Sequence, residues 1–314
     1  METVPGARGR IPRRKSRGAW RRYGTVLLFM SPWLIGFIAF YVYPMISSLY
    51  FSFTQYNIIQ PPKLVGLSNY TFMFTKDPQF WQAMRNTIWM ILVSVPIQIA
   101  FAIGCAMVLT RPKRGSGVYR TIFFLPTMVP VVAATLGFVF ILNPGGPIDH
   151  ILKLLHVPQP LWFQDPKWSK PGLVLLGLWG VGNTMIIFLA SLLDVPRQLY
   201  EAADIEGAGA WQRFRYITLP MISPVIFFAV VTGVIYGFQY FTEGYIASGG
   251  AQSLGNPQGS LLFYPTWLYE QGFEYFHMGY ASAMAWMLFL ITMICTLILI
   301  RTSRRWVHYQ GGFR

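Results

Sequence analysis

Charge is what this sequence has least of. Asp, Glu, Lys and Arg make up 11% of its 314 residues, against about 25% in ordinary soluble domains. With 54% hydrophobic and 17% aromatic residues, the chain has too little polar surface to face water on all sides. That excludes a soluble enzyme and leaves an integral membrane protein. There are only two cysteines, which excludes a disulfide scaffold. Cys105 and Cys295 both fall in apolar stretches and read as packing residues. The four histidines (His150, His156, His277, His308) have no metal-ligand spacing, so no metal site is expected. There is no GxxxxGK[ST] loop to hold a nucleotide. No Ser/His/Asp, Cys/His or paired-carboxylate set falls at one depth, and no catalytic residue is expected. Ion-coupled transporters usually carry acids, bases or histidines within their spans. Here His277, at the mouth of the last apolar stretch, comes nearest, which disfavours secondary transport.

What is present is long apolar runs. Six stretches lack Asp, Glu, Lys and Arg: 24–55, 86–110, 121–147, 171–193, 216–242 and 275–300. Each exceeds the roughly 20 residues needed to cross a hydrocarbon core. Prolines within them (Pro32, Pro44, Pro96, Pro126, Pro130, Pro224) predict kinks rather than breaks. The expected fold is an all-α membrane protein with six transmembrane helices. Its parts are a basic cytoplasmic arm (1–23), a first span (24–55), an extracytoplasmic loop (56–85), a core (86–303) with a cytoplasmic loop at 194–219, and a cytoplasmic tail (304–314).

Placing both termini inside puts 19 of the 25 Lys and Arg, but only 5 of the 11 acids, on the cytoplasmic side. The whole net charge of +14 then lies on one face, as the positive-inside rule expects. The basic balance thus needs no nucleic-acid partner. The run from Arg8 to Arg22 is a topology signal that can also touch anionic lipid.

The cytoplasmic loop carries a pattern. Pro196 opens a short helix with Asp194 as its expected N-cap, and Gly207 and Gly209 close it. Leu199, Tyr200, Ala203 and Gly207 share one shallow face, suited to a groove on another protein. Glu201, Asp204 and Glu206 are available for salt links. A plain connector lying on the membrane is the other reading of the same residues.

Glu201-Ala202-Ala203, then three residues, Gly207, nine residues and Ile217-x-Leu219-Pro220 together resemble the EAA motif of ABC importer permeases, with every defined position at its spacing. The resemblance implies that Glu201, Ala202, Ala203, Asp204 and Gly207 form a coupling helix docking into an ATPase subunit. Ile217, Leu219 and Pro220 would set the return of the chain into the membrane. The segments PMISSLYFSFT (44–54), VGLSNY (65–70), FWQAMRNT (80–87), YRTIFFLP (119–126) and MGYASA (278–283) extend the resemblance to carbohydrate importers. It is similar to the first permease subunit of the maltose type, with the type I (MetI-like) permease fold. That subunit carries extra N-terminal helices and a large outer domain; this chain has neither, so short loops must make its outer contacts.

The resemblance also places a substrate face. Gly233, Tyr236, Gly237 and Tyr240 follow the i, i+3, i+4, i+7 rule. Aligned from Glu201, they fall on positions lining the sugar site of the maltose type, as do Trp179, Gly180 and Asn183 on the fourth span. Glycines open room, and tyrosines offer a ring face and a hydroxyl to a sugar. Gly233-x-x-x-Gly237 is equally a helix-packing motif, and that reading stays open. Gln239 and Glu243 are second choices on a neighbouring face. No Lys or Arg lies on either span, which argues against phosphorylated cargo. The longest outer loop, 244–275, is either a contact for a delivering protein or a disordered connection.

The resemblance implies a subunit forming half of a pore in the prokaryotic inner membrane, multi-pass, importing a sugar or oligosaccharide. Its implied partners are a second permease in a heterodimer, two ATPase subunits and an extracytoplasmic solute-binding protein, all within the lipid bilayer. No cofactor is expected on this chain; ATP and Mg would sit on the ATPase subunits. Glycerol 3-phosphate or another anionic or polyol cargo, a secondary transporter, and an assembly subunit without transport are the alternatives.

Overall fold

The computed structural model describes residues 17–110 and 115–307. The basic arm at 1–16, the basic residues Arg111, Lys113 and Arg114, and the tail from 308 lie outside the described residues. The chain divides into two units, one up to Tyr50 and one from Phe51.

The first unit is helical. Helix α1 (Arg17–Phe37) runs into a π-turn (Ile38–Val42) and then α2 (Tyr43–Ser52). The π-turn has a local cause. The ring of Pro44 clashes with the carbonyl four residues back, at Phe40, and removes one backbone donor. Widening the turn at Ile38–Val42 absorbs both without ending the helix. Pro32 lies inside α1 without a break.

The second unit opens with a short antiparallel pair, β1 (Thr54–Gln55) and β2 (Lys63–Leu64), with Thr54 opposite Leu64. Helices α3 (Ser68–Thr75) and α4 (Pro78–Leu109) follow, then α5 (Ser116–Phe124), a 3₁₀ turn (Leu125–Met128), α6 (Val131–Leu142) and α7 (Pro147–Leu154). Next come α8 (Pro166–Trp179), α9 (Gly182–Leu193), α10 (Arg197–Ile205), α11 (Ala210–Arg213), a π-turn (Phe214–Thr218), α12 (Leu219–Met221) and α13 (Ser223–Phe238). The last elements are α14 (Thr242–Ala247), a 3₁₀ turn (Ala251–Ser253), α15 (Tyr264–Tyr269), a π-turn (Glu270–Glu274) and α16 (Met278–Ser303).

Among the described residues, four stretches are long and apolar enough to cross a membrane: Tyr23–Ser52, Pro78–Leu109, Val131–Leu154 and Met278–Ser303. Two more are bent pairs, α8 with α9 at 51° and the segment Ala210–Met221 with α13 at 66°. The six-span expectation is met in number, but kinks are not the whole story. Pro130 ends the preceding turn outright: Val129 is extended (φ −78°, ψ 128°), the conformation favoured before proline. The third long helix therefore begins at Val131, ten residues after the expected start. Pro224 stands in the first turn of α13 just after the break at Ile222. Pro96 alone of these sits inside an unbroken helix of the second unit. The other break falls at Gly180–Val181. A Cβ on Gly182 would lie 2.4 Å from the Phe123 carbonyl oxygen, so glycine lets α9 begin directly against α5.

Packing concentrates between α4, α9 and α13. Ala102, Ala106, Met185, Phe188 and Ile222 are fully buried there. At the other end of α4, Asp77 joins three helices. Its Oδ1 accepts the backbone N–H groups of Gln79 (2.9 Å) and Phe80 (3.0 Å), capping α4. Its Oδ2 accepts Trp267 Nε1–H (2.8 Å) and the Tyr280 hydroxyl (2.5 Å). Four donors on one buried carboxylate draw α15 and α16 onto α4.

Of the two readings of the outer loop, the disordered connection is overturned. Residues 255–264 are pinned to the bundle. Asn86 Nδ2 donates to the carbonyls of Gly259 and Leu262 (both 2.8 Å), and Lys170 Nζ donates to Asn86 Oδ1 (2.7 Å). Thr87 Oγ1 accepts the Tyr264 N–H (2.9 Å), and the hydroxyls of Ser169 and Ser260 meet at 2.8 Å. Leu261, Phe263 and Tyr264 have no exposed surface. Cys105 and Cys295 are free thiols, each half-buried.

Candidate functional site

A cavity of about 610 Å³ lies among α4, the turn before α6, the α8–α9 break, α13 and α14. This is within the roughly 300–1,000 Å³ of small-molecule sites. Trp179, Gly180, Asn183, Gly233, Tyr236, Gly237 and Tyr240, expected on two separate spans, all line it. The break at 180–181, a bend of 51°, lies in this lining, with Trp179 and Gly180 before it and Asn183 and Thr184 after it. From Val225 to Gly237 the lining follows one helix for about 18 Å.

The seven positions do different things. Gly233 and Gly237 do not open room. A Cβ at Gly233 would meet Val95 at 2.9 Å, and one at Gly237 would meet Ile91 at 2.4 Å. The pair lets α13 lie close against α4, which is the packing reading of the motif. Gly180 is open, its nearest neighbours being carbonyl oxygens at 3.9 Å. Tyr236 is 70% exposed within this chain and lines the cavity. Tyr240 packs edge-on against Phe263, centroids 5.3 Å apart. Trp179 leans on Phe138 at 5.5 Å, and Asn183 is exposed.

Among the described residues Glu243 is the one charged residue that lines the cavity; Gln239 does not line it. Burial pushes the Glu243 carboxyl up from its ordinary range. No Lys or Arg lines the cavity. One expectation about charge needs correcting, because α8 starts at Pro166 rather than 171 and so carries Lys167 and Lys170. Lys170 turns toward Asn86 and sits 5.2 Å from the Trp89 ring, away from the cavity lining.

Five polar side chains in the lining were not read from the sequence: Ser94, Gln98, Thr127, Thr184 and Thr232. Ser94 and Gln98 lie four apart on α4, a polar pair in an apolar helix, and that spacing was the signal available.

At the opposite end of α9 the loop folds differently from expectation in two respects. Asp194 does not cap α10; it is the C-cap of α9, and Pro196 is the N-cap residue of α10. The helix begins at Arg197, so the Asp194 side chain lies too early in the chain to cap its first turn. Gly209 does not close α10 but opens α11, donating its N–H to Gln212 Oε1 at 2.7 Å.

Gly207 closes α10 as expected. It has φ +74°, its N–H reaches the Asp204 carbonyl (3.1 Å), and the Ala208 N–H reaches that of Ala203 (2.9 Å). Those two bonds are a Schellman motif, which needs a left-handed residue three positions after Asp204. The spacing from Ala203 to Gly207 thereby acquires a backbone reason.

The face assignment is also corrected. Tyr200 and Ala203 do not present a free surface. Ala203 is buried, and Tyr200 packs on the α4–α9–α13 core with its hydroxyl 2.9 Å from Thr218 Oγ1. The exposed face carries Leu199, Glu201, Ala202, Ile205 and Glu206, with Ile205 89% exposed. Asp204 pairs with Arg213, tying α10 to α11. Ile217 packs on the same core, and Leu219 and Pro220 form α12. The π-turn at Phe214–Thr218 precedes Pro220 as the first π-turn precedes Pro44, and Tyr216 stands four residues before that ring.

Comparison with known proteins gives these features a setting. Residues 98–308 match the family described as "Binding-protein-dependent transport system inner membrane component". A probable ABC transporter permease protein of Bacillus subtilis, YesP, is 40% identical over 300 residues, covering 95% of this chain and 96% of its own. The lactose transport system permease protein LacF of Rhizobium radiobacter is 32% identical, covering 92% and 98%. The arabinooligosaccharides permease AraP of Bacillus subtilis is 31% identical, covering 93% and 94%. A bacterial alginate ABC transporter crystal structure contains a chain of the same fold, with TM-score 0.79 at 23% identity, covering 93% of this chain and 98% of that one. The chain therefore belongs to the inner membrane components of binding-protein-dependent transport systems, as a membrane-spanning permease subunit of an ABC importer.

Proposed function

We propose that this subunit forms half of the passage through which an ATP-driven importer moves a sugar or oligosaccharide. The observation that carries the reading is the cavity, where seven residues from two spans meet around one space rich in aromatic faces, hydroxyls and amides. Sugars need that mixture: C–H faces against rings, hydroxyls against polar groups. Two relatives over nearly the whole chain, named for lactose and arabinooligosaccharide transport, support it.

The rest of the assembly follows from the loop at 197–209. A second permease would complete the passage as a heterodimer, and two ATPase subunits would bind ATP and Mg. The exposed face of α10, centred on Glu201, Ala202 and Ile205, would dock on an ATPase and pass its closure to the spans. A solute-binding protein would deliver cargo to the opposite end. The basic segments would hold both termini and this loop on the cytoplasmic side of a prokaryotic inner membrane.

Anionic cargo such as glycerol 3-phosphate is the second reading. Among the described residues Glu243 is the sole charge in the lining, so a cation for a phosphate or uronate would be expected from the partner permease. The test is ATPase activity of the reconstituted complex with its binding protein, against neutral mono- and oligosaccharides and glycerol 3-phosphate. Stimulation by a neutral saccharide supports the reading. Stimulation by the phosphate ester alone sinks the neutral cargo and leaves the coupling role standing. Failure to purify with any ATPase partner sinks both.

A further inference from the structure

The wall that α4 and α8 give the cavity carries a constructed feature. Gln98 on α4 meets Gly177 on α8 within the lining, with Ser94 one turn along α4. Gln98 Nε2 lies 2.7 Å from Ser94 Oγ. A Cβ on Gly177 would stand 2.2 Å from that same nitrogen and 3.2 Å from Cδ. The amide nitrogen therefore points end-on at bare backbone, into a space that only glycine leaves free. Ser94 is buried and Gln98 half-buried. One N–H is directed to Ser94. The second N–H and the carbonyl oxygen are unused by any other described side chain, and an amide has capacity for both. A long polar side chain in an apolar helix, held in one pose by a serine and a glycine, matches how sites place a few polar groups on a mostly apolar wall.

We propose that Gln98 is a substrate-binding, specificity-determining residue of this cavity, with Ser94 and Gly177 as its positioning residues. Its ligand class is a polyhydroxylated neutral saccharide, whose vicinal hydroxyls pair with an amide that donates and accepts side by side. This rests on the saccharide reading above and adds the residues on α4 and α8 that would read the hydroxyls.

The geometry makes Gly177→Ala an unusually clean probe. The atom in its way is the tip of a flexible side chain, not backbone, so the new methyl displaces the amide and leaves the helices where they are. Alanine also favours a helix over glycine. The experiment uses the full importer in proteoliposomes, with partner permease, ATPases and binding protein. Its probe is the best-transported member of a panel of labelled di- and trisaccharides that includes lactose and arabinotriose.

Gln98→Ala and Gly177→Ala should each lower both uptake and the labelled sugar retained by the complex about tenfold, the scale of one lost hydrogen bond in a desolvated site. The double variant should be no worse than Gln98→Ala alone, because the methyl added at position 177 then has no amide to displace. Gly104→Ala, on α4 with nothing within 4 Å of the new methyl, should stay within about twofold of wild type, as for other exposed sites. Assembly and melting temperature are read in parallel. Unchanged retention in Gln98→Ala overturns the proposal. So do multiplicative losses in the double variant, or a fall in assembly equal to the fall in uptake. Wild-type complex that transports no saccharide of the panel overturns the saccharide reading itself, and the proposal with it.

Discussion

Two loops at opposite ends of the second unit are built on opposite principles. Residues 255–264 are held by hydrogen bonds with Asn86, Thr87 and Ser169, and their largest side chains are fully buried. Residues 197–209 touch their own chain through Tyr200, Ala203 and the Asp204–Arg213 pair. The same loop leaves Ile205 89% exposed, with Trp211 72% exposed just beyond it. The first loop satisfies its polar and apolar groups internally. The second keeps apolar side chains uncovered while its backbone is rigidly capped, the condition of a surface preformed for a partner.

That contrast can be broken from either side. The largest effect is expected at Asn86. Replacing it with alanine leaves two loop carbonyls and the Lys170 ammonium without their partner. Each buried unpaired group costs about 1–3 kcal/mol, so about 3 kcal/mol or more should be lost. Differential scanning of the purified complex should show a melting temperature several degrees lower. If Asn86→Ala melts like wild type, the first loop is not held as described.

The second effect is on association. Ile205→Asp should leave the melting of this chain unchanged, because Ile205 packs on nothing here. It should weaken capture of the ATPase subunit by about 2 kcal/mol or more, as for a residue central to an interface. Full ATPase capture would place the docking face elsewhere. Glu201→Lys belongs with it: uptake should be lost while membrane insertion is kept, and normal uptake would count against the coupling role.

A smaller change is expected at Gly207. Alanine there must adopt φ +74°, at a cost of about 1–2 kcal/mol. Fraying of α10 should lower sugar-stimulated ATPase activity more than it lowers melting temperature. The smallest is Tyr200→Phe, which removes one hydroxyl contact with Thr218 worth about 1 kcal/mol. Uptake should fall only slightly, and a loss as large as that of Ile205→Asp would show that the inward face of α10 carries the coupling.

Some of this was legible in the sequence and the rest was not, for identifiable reasons. Span number was readable because a charge-free run longer than a bilayer is thick has little use in a folded chain except to cross one. Where those spans break was not. Pro96 and Pro130 look alike in sequence, yet only the second ends a helix, and the bend at Gly180–Val181 brings Gly182 against the Phe123 carbonyl, a contact distant along the chain. The motif located α10 but not its orientation. Leu199, Tyr200 and Ala203 make a shallow face on paper; the Tyr200–Thr218 contact, 18 residues apart, turns Tyr200 and Ala203 inward and leaves Leu199 exposed. The seven cavity residues were reachable through the resemblance. Ser94 and Gln98 were not, since they lie on another helix and their meaning comes from Gly177, far along the chain. Asp77 was likewise silent, because its Trp267 and Tyr280 partners are about 200 residues away.

The most direct measurement is cross-linking from a cysteine placed at Ala202, on the exposed face of α10, to the ATPase subunit in the reconstituted importer. If α10 carries the coupling, the cross-link forms and its yield changes when ATP is added. ATP-driven sugar uptake then stops when the link is locked and returns on reduction. An importer that takes up sugar normally yet never forms this link, or that works unimpeded with it locked, would contradict that role.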